Sequence, residues 1–494
     1  MNARHFSEGL PPALWKDANE AASSVTGASD VVIATHIDAD GIAAAAIAST
    51  CLDRLGTRHE VVFLKKLDEQ GLKALGDKRA ALVWFTDLGS GSLSKIHGMR
   101  AVVSDHHVPD PASSTPRRGG QLALTDFGSI AHVNPQAHGI SGATDLSGAG
   151  STFLVAAAIS DSNLDLAPLA LIGAVGDLQD QKARRLTGLN RLVLSTAESL
   201  GHAAATDDIS FFGRETRPIH KMLEYSSDPF LPGITNNEEA AISFLLARGL
   251  ELKVGETWRS WNTLTPEEKS DVIDGLRDHL HRSSRRPGAA DRLTGEAYTL
   301  TREAPGTPMR DAKEYATLLN ACGRHGQAQI GLRICKGDRG EAFEMGKVLL
   351  RDHRSALSEG LNLAREAGVT RMVNIQFFDT GDGIEETIVG TVAGMLLNSN
   401  GSDRSAPMVA LAESTECPDT PQTKASARAT QDLVSRGVDL AAAMRAAAEK
   451  MGGVGGGHNI AAGATIPSDR KEGFLKVLDE VVGQQILSGA RRRG

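Results

Sequence analysis

Ala101-Val102-Val103-Ser104-Asp105-His106-His107 decides the reading of this chain: a short apolar run that ends in one carboxylate and two imidazoles. Three other acidic motifs accompany it in order. His36-Ile37-Asp38-Ala39-Asp40-Gly41 follows the run VVIAT (31–35), Thr86-Asp87-Leu88-Gly89 ends ALVWFT (81–86), and Gly176-Asp177 follows Leu169 to Val175. Carboxylates and imidazoles are costly to gather in one pocket unless a cation neutralises them, so the set reads as a two-metal site. Its natural chemistry is metal-assisted hydrolysis of a phosphate ester.

Working outward, VVIAT, EVVFL (60–64), ALVWFT, AVVS (101–104) and IAHV (130–133) read as strands. Ile42–Leu55, Gln70–Leu75, Thr152–Ile159 and Leu169–Val175 read as helices. This alternation predicts a parallel sheet wrapped by helices, an α/β domain over residues 1–206. Three acidic motifs follow strands, where open α/β sheets place their ligands. In extended backbone, His36, Asp38 and Asp40 point the same way, and Gly41 permits a sharp entry to the next helix. Asp87 from a neighbouring strand end can bridge two cations, His106 adds a nitrogen donor, and Asp177 arrives from a helix.

Beyond about 207 the alternation is lost. A polar segment to 298 reads as a helical insertion or linker, with one marked helix start: Thr265 as cap, Pro266 in the first turn and Glu268 three residues after the cap. That helix is expected to end near Ser283. Residues 299–494 read as a smaller α/β domain, with strands QIGLRI (329–334), MVNIQFF (372–378) and PMVALAE (407–413) and helices Leu440–Lys450 and Gly473–Gln484. It holds a glycine loop, Gly452-Gly453-Val454-Gly455-Gly456-Gly457-His458, whose exposed N–H groups suit a phosphate.

Composition bounds the partners. At 494 residues the chain exceeds one hydrophobic core, so two or three domains are expected. A net charge of −8 argues against a surface that is basic everywhere, and 4% aromatic residues leave little for stacking bases on rings. Lys182 with Arg184 and Arg185, His281 to Arg286, and Arg491 to Arg493 are local basic stripes, each read as solvated helix charge. Cys51, Cys322, Cys335 and Cys417 lack the spacing of a zinc knuckle or a disulfide scaffold, which predicts a reducing cytoplasm. The N-terminus lacks a signal-like segment, and the longest apolar stretch, Leu166 to Gly176, is too short to span a bilayer, so no membrane is expected.

Four aspartates roughly balance two divalent ions, leaving the site near neutral toward an anionic phosphodiester. Mixed oxygen and imidazole donors favour Mn²⁺, with Mg²⁺ as the alternative. Two ions about 3.5–4 Å apart would activate a water and stabilise charge on the phosphorus oxygens, with His107 touching the phosphate or moving a proton.

The four motifs resemble those of the DHH phosphoesterase superfamily, named for the sequence at Asp105 to His107. The resemblance implies Mn²⁺-dependent hydrolases: RecJ-type single-strand exonucleases, oligonucleotide and cyclic-dinucleotide hydrolases, and pyrophosphatases. It implies that His36, Asp38, Asp40, Asp87, His106 and Asp177 are metal ligands, that His107 contacts phosphate, and that Asp105 joins it as a catalytic residue. One departure stands out: RecJ-like chains of bacteria usually carry Asp where His36 stands.

The segment Lys424-Ala425-Ser426-Ala427-Arg428 through Gly463 is similar to the DHH-associated C-terminal domain. That likeness implies substrate-binding roles for Ser426, Arg428, Gly455, Gly456, Gly457 and His458, facing the metal cleft between the domains. Gly213-Arg214-Glu215-Thr216-Arg217-Pro218 and Asp311 through Arg324 look like the archaeal RecJ-like branch. For Arg214 and Arg217 either a partner or a nucleic-acid backbone is open.

The expected function is a Mn²⁺-dependent exonuclease on single-stranded DNA or RNA, in DNA replication, DNA repair or RNA turnover. Two alternatives stand beside it. One is a phosphoesterase of small oligonucleotides or cyclic dinucleotides; the other is a replisome scaffold, since the archaeal resemblance implies binding to the GINS complex.

Overall fold

The computed structural model describes residues 6–96, 98–110, 130–226, 228–283, 288–399, 402–414 and 421–491. Cys417, the stretch Arg285-Arg286 and the tail residues Arg492 and Arg493 lie outside the described residues. The chain forms two units, Met1–Leu350 and Arg351–Gly494.

The first unit is organised by β1 (Asp30–His36), β2 (Arg58–Leu64), β3 (Leu82–Thr86), β4 (Ala101–Ser104) and β5 (Ile130–Val133). All pair in parallel, in the order β2-β1-β3-β4-β5. The five strands fall where the apolar runs place them. Central strands of a parallel sheet are covered on both faces, which is why they read as continuous apolar runs. In β1, Val31 and Ile33 face one core while Val32 and Ala34 face another. The first core is built mainly from small residues: the Ala39–Leu55 helix buries Ala43 through Ala46 against the Gly148–Ile159 and Ala167–Gly176 helices.

An antiparallel pair, Ala203–Ile209 with Thr294–Leu300, brackets residues whose own core includes Trp261, Leu223 and Leu276. Within it the Pro266–Ser283 helix begins as expected. Thr265 Oγ1 accepts from Glu268 N–H at 3.2 Å and Glu268 Oε2 accepts from Thr265 N–H at 2.8 Å, a reciprocal capping box. The boundary between units lies well beyond the 298/299 division expected from sequence. The Ala312–Arg324 and Ala328–Cys335 helices bury Tyr315, Leu319, Leu332 and Ile334 in the first unit's core.

The second unit holds a mixed six-stranded sheet: Thr370–Arg371, Gln376–Asp379, Met408–Ser414, Gln422–Arg428, Ala461–Pro467 and Val454–Gly457, in that spatial order. The Leu440–Lys450 and Lys471–Arg491 helices pack on one face.

Three expectations are corrected. QIGLRI is helical, not a strand: Ile330 and Ile334 lie one turn apart, and Gly331 lets the helix settle on Ile42. An Ile-x-Leu-x-Ile run fits either period, and packing decides. MVNIQFF is a strand only from Gln376. Met372 to Ile375 turn, with Asp479 Oδ1 accepting the N–H groups of Asn374 and Ile375 at 2.7 and 2.9 Å. The glycine loop is largely a strand, because Val454–Gly457 pairs antiparallel with Ala461–Pro467.

Candidate metal centre

Strand order reverses between β1 and β3, and in open α/β sheets ligands bind outside the carboxyl ends of strands at that point. His36 and Asp38 end β1, Asp87 ends β3, and Asp105, His106 and His107 end β4. Asp177 caps the C-terminus of the Ala167–Gly176 helix. All eight expected residues of the first unit meet there, as three overlapping groups: His36, Asp38 and Asp87; Asp40, His106 and Asp177; and Asp87 with Asp105, His106 and His107.

The motif His36-x-Asp38-x-Asp40 does not stay extended, which corrects the expectation that its three side chains point the same way. Asp38 is the helix cap, accepting from Gly41 N–H at 3.0 Å, and Asp40 lies in the first turn. The two carboxylates therefore part company. Asp38 approaches His36 Nδ1 at 2.8 Å, while Asp40 turns inward to 3.8 Å from His106 Nε2. Asp87 lies between them, 3.9 Å from His36 Nδ1 and 3.3 Å from His106 Nε2.

The fold brings these groups together by close backbone approach. A Cβ on Gly148 would stand 2.4 Å from Asp87 Oδ1, and one on Gly173 would stand 2.2 Å from Asp40 Oδ1. Asp87 itself has φ +58, a left-handed conformation uncommon for a residue with a side chain. The N-terminus of the Gly148–Ile159 helix also holds Asp40, whose oxygens accept from Gly148 and Ala149 N–H at 2.7 and 2.9 Å.

The electrostatics show the cost of this packing. Burial raises Asp87 well above the ordinary carboxylate range, and Asp40 and Asp38 add to the shift by repulsion. Asp40 is pushed up to about 6, first by burial and then by Asp177 and Asp38, against the pull of His106. Asp38 and Asp105 go the other way. Burial works against their ionisation, yet His36 beside Asp38 and His107 beside Asp105 hold both carboxyls below their usual range. His106 is raised despite burial, by Asp177, Asp87 and Asp40.

The donor set fits divalent cations. Asp87 Oδ1 is buried without a hydrogen-bond donor, and two raised carboxyls share the pocket with another carboxylate pair. His106 Nδ1 donates to Gly142 O at 2.6 Å, so in the neutral ring that a cation would require, Nε2 is the lone-pair nitrogen turned toward Asp40 and Asp87. His36, Asp38 and Asp87 could hold one ion, and Asp40, His106 and Asp177 a second.

Asp105 is not arranged as a ligand. Its oxygens accept from Ser90, His106 and His107 N–H groups at 2.9, 2.7 and 3.2 Å and from His107 Nδ1 at 2.8 Å. It aims His107, whose side chain is 42% exposed at the mouth of the site.

The remaining predicted site residues lie in the second unit. Ser426 and Arg428 alternate on one strand and so share a face. Ser426 pairs with Gly463, which pairs with Gly456, placing a bare backbone row beside the serine. Arg428 lies over the Val389–Leu397 helix near Gly390, and His458 follows the edge strand with its N–H on Ala461 O at 2.8 Å.

Arg214, left open by sequence, is buried and paired with Asp208 at 2.9 Å and with Asp311 through Nε at 3.0 Å, a structural role. Arg217 lies over the rings of Phe212 and Tyr225 at 4.7 and 5.1 Å. Sequence reasoning missed the groups behind the metal ligands: Ser90, Asn134, Gln136, Gly142 and Gln179. Neutral and scattered over short helical turns and loops, they carry no periodicity or charge pattern; only the position of Asn134 directly after a strand was a signal.

No helix among the described residues is long and apolar enough to cross a membrane. Cys51, Cys322 and Cys335 are free thiols.

A DHH-CID domain model matches residues 211–294 and a DHHA1 domain model matches residues 369–484. An uncharacterised protein of Methanocaldococcus jannaschii is 26% identical over 459 residues, spanning 92% of this chain and 93% of that one. RecJ of Thermus thermophilus, solved in complex with Mn²⁺, shares the fold over 96% of this chain with a TM-score of 0.56 at 17% identity. The chain spans 55% of that RecJ. CDC45 of Entamoeba histolytica matches with a TM-score of 0.60 at 12% identity, covering 98% of this chain and 99% of its own. An exonuclease RecJ bound to manganese gives 0.51 at 17% identity, covering 96% and 95%.

Proposed function

From a chain that carries DHH-CID and DHHA1 domains on a RecJ-like fold, and is thus a RecJ-like protein of the DHH superfamily, we propose a divalent-metal-dependent phosphodiesterase that removes nucleotides from an end of single-stranded DNA or RNA. One observation carries this reading: two acid-and-imidazole triads, His36/Asp38/Asp87 and Asp40/His106/Asp177, sit at the switch point of a parallel sheet. Two relatives of the same fold bear manganese, and the imidazoles of His36 and His106 suit Mn²⁺ better than Mg²⁺. Cations held there would supply the Lewis acidity for phosphodiester hydrolysis.

The chain's own groups do the rest. Asp105 holds Nδ1 of His107, leaving its Nε2 to meet a phosphate oxygen or pass a proton at the leaving oxygen. In the second unit Arg428 supplies a fixed cation for phosphate, and Ser426, Gly455, Gly456, Gly457 and His458 line the nucleotide's path. End-labelled single strands of DNA and RNA, labelled at either end and digested with Mn²⁺ or Mg²⁺, test the proposal. Nucleotide release from the wild type and none from Asp40→Asn is expected; equal release from both overturns it. A dinucleotide cleaved faster than a long strand would favour the small-substrate alternative.

A second reading, the GINS-binding scaffold, has one observation in its favour: the fold matches CDC45 along both chains. The full set of ligands argues for an enzyme that also docks, and a pull-down that recovers no GINS removes the partner.

A further inference from the structure

The carbonyls of the loop that carries Asp105, His106 and His107 are held by side-chain amides. Gln136 Nε2 donates to the carbonyl of His106 at 2.6 Å, and Asn134 Nδ2 donates to the carbonyl of His107 at 2.8 Å. Asn134 also donates to Ser90 Oγ at 2.8 Å and accepts from the backbone N–H of Gln136 at 2.8 Å, so its side chain is locked at both ends. Ser90 in turn gives its N–H to Asp105 at 2.9 Å.

On the other side, Gln179 Nε2 donates to Gly142 O at 2.9 Å, the same carbonyl that receives His106 Nδ1, and to Asp177 Oδ2 at 3.2 Å. Asn190 holds Gln179 from behind, donating to Oε1 at 2.6 Å. Asn134, Gln179 and Asn190 are all buried.

The chemistry of these groups has a reason. A ligating histidine needs an acceptor behind it to fix its tautomer, and a carboxylate often serves. Here another carboxylate would add charge to a pocket already crowded with Asp40, Asp87 and Asp177. An amide-braced carbonyl fixes the ring and adds none. Although Asp105 accepts from both backbone N–H groups, the two rings have separate supports: the His106 ring rests on Gly142 O, which Gln179 also holds, whereas the His107 ring rests on Asp105 and its carbonyl on Asn134.

We propose that Gln179 and Asn134 are positioning residues with divided duties, Gln179 aiming His106 and Asp177 at a metal ion and Asn134 aiming His107 at the scissile phosphate. The division rests on the metal-dependent reading above. Its test uses the full chain and Mn²⁺ alone, titrated by calorimetry without substrate, beside steady-state cleavage of a short oligonucleotide.

Gln179→Ala should weaken Mn²⁺ binding by about 10–100-fold, the usual loss when a group that orients a ligand is removed. Asn134→Ala should leave Mn²⁺ affinity within about 2-fold and KM within about 3-fold while kcat falls about 10–100-fold. Asn134→Asp, which keeps the acceptor for Gln136 but not the donor to His107, should resemble the alanine variant. Gln136→Ala, at a half-buried position, should weaken Mn²⁺ binding and gives a second variant if Gln179→Ala does not fold. Equal loss of Mn²⁺ affinity in the Asn134 and Gln179 variants, or wild-type constants in either, overturns the division. A wild-type protein that binds no Mn²⁺ instead overturns the metal-dependent reading, and this inference with it.

Discussion

The two sheets carry their polar residues in opposite ways. At the ends of β1, β3 and β4, carboxylates are buried against one another, and Asp40 and Asp87 are raised first by burial and then by neighbouring carboxylates, against the pull of His106. On the Gln422–Arg428 and Val454–Gly457 strands, one guanidinium, one serine and a row of glycines are spread along backbone, with no comparable acid cluster among the described residues there. The first arrangement crowds buried carboxylates in a way that a multivalent cation would relieve. The second needs no ion to be stable, and its bare backbone suits contact with a sugar-phosphate chain. On the proposed function, chemistry and grip fall to different materials, buried charge and accessible backbone.

The contrast breaks most sharply at Asp87, a member of the first triad whose Oδ1 also lies 3.3 Å from His106 of the second. Asp87→Asn should lower Mn²⁺-dependent hydrolysis at least about 10³-fold and abolish measurable Mn²⁺ binding by calorimetry, while the metal-free protein melts no lower than wild type at neutral pH. Retained binding would mean that the triads are not coupled through this residue.

Next in size is the metal's effect on stability. In the metal-free protein Asp40 and Asp87 hold protons that the unfolded chain would release, so between about pH 4 and 6 the native state binds more protons than the unfolded state. The contribution of Asp40 is present at low pH and is lost as pH rises through about 6, and Asp87 acts in the same direction. Calorimetric melting should show Mn²⁺ raising the melting temperature more at about pH 7.5 than at about pH 5. At about 100 times its Kd the gain is about 2.7 kcal/mol. A larger gain at the lower pH contradicts the crowding argument.

Arg428→Ala tests the other sheet. It should raise KM for a single strand about 10-fold while Mn²⁺ affinity stays unchanged, since the proposed function assigns this guanidinium to phosphate and not to a metal ion. Loss of metal binding in this variant would erase the distinction between the regions.

The smallest effect sharpens it further. A Cβ at Gly456 meets nothing within 4 Å, whereas one at Gly455 would stand 2.6 Å from Met444 O. Gly456→Ala should keep the wild-type melting temperature and raise KM about 3-fold, by hindering approach to the backbone. Gly455→Ala should lower the melting temperature, at a cost of about 1–3 kcal/mol. Equal KM for Gly456→Ala and wild type would place the substrate elsewhere.

Much of the first unit was legible because its signals are local. Val31 to Thr35, Val102 to Ser104 and the capping box at Thr265 announce their elements within a few residues, and a carboxylate at the end of an apolar run is conspicuous. The illegible parts depend on partners far along the chain. Ile330-Gly331-Leu332 fits strand or helix until Ile42 is placed beside it. Asp38 and Asp40 look equivalent until the helix begins between them and Gly148 and Ala149 capture only the second.

The sequence by itself determined the parallel sheet, the strand ends that bear acid, and the residue types able to hold cations, because periodicity and charge are written in neighbouring residues. Only the tertiary structure decided which carboxylate joins which imidazole, that Asp105 aims rather than ligates, and that Asn134, Gln136 and Gln179 brace the loop. Those outcomes turn on hydrogen bonds of about 3 Å between groups as many as 109 positions apart in the chain, distances that only the packed backbone fixes.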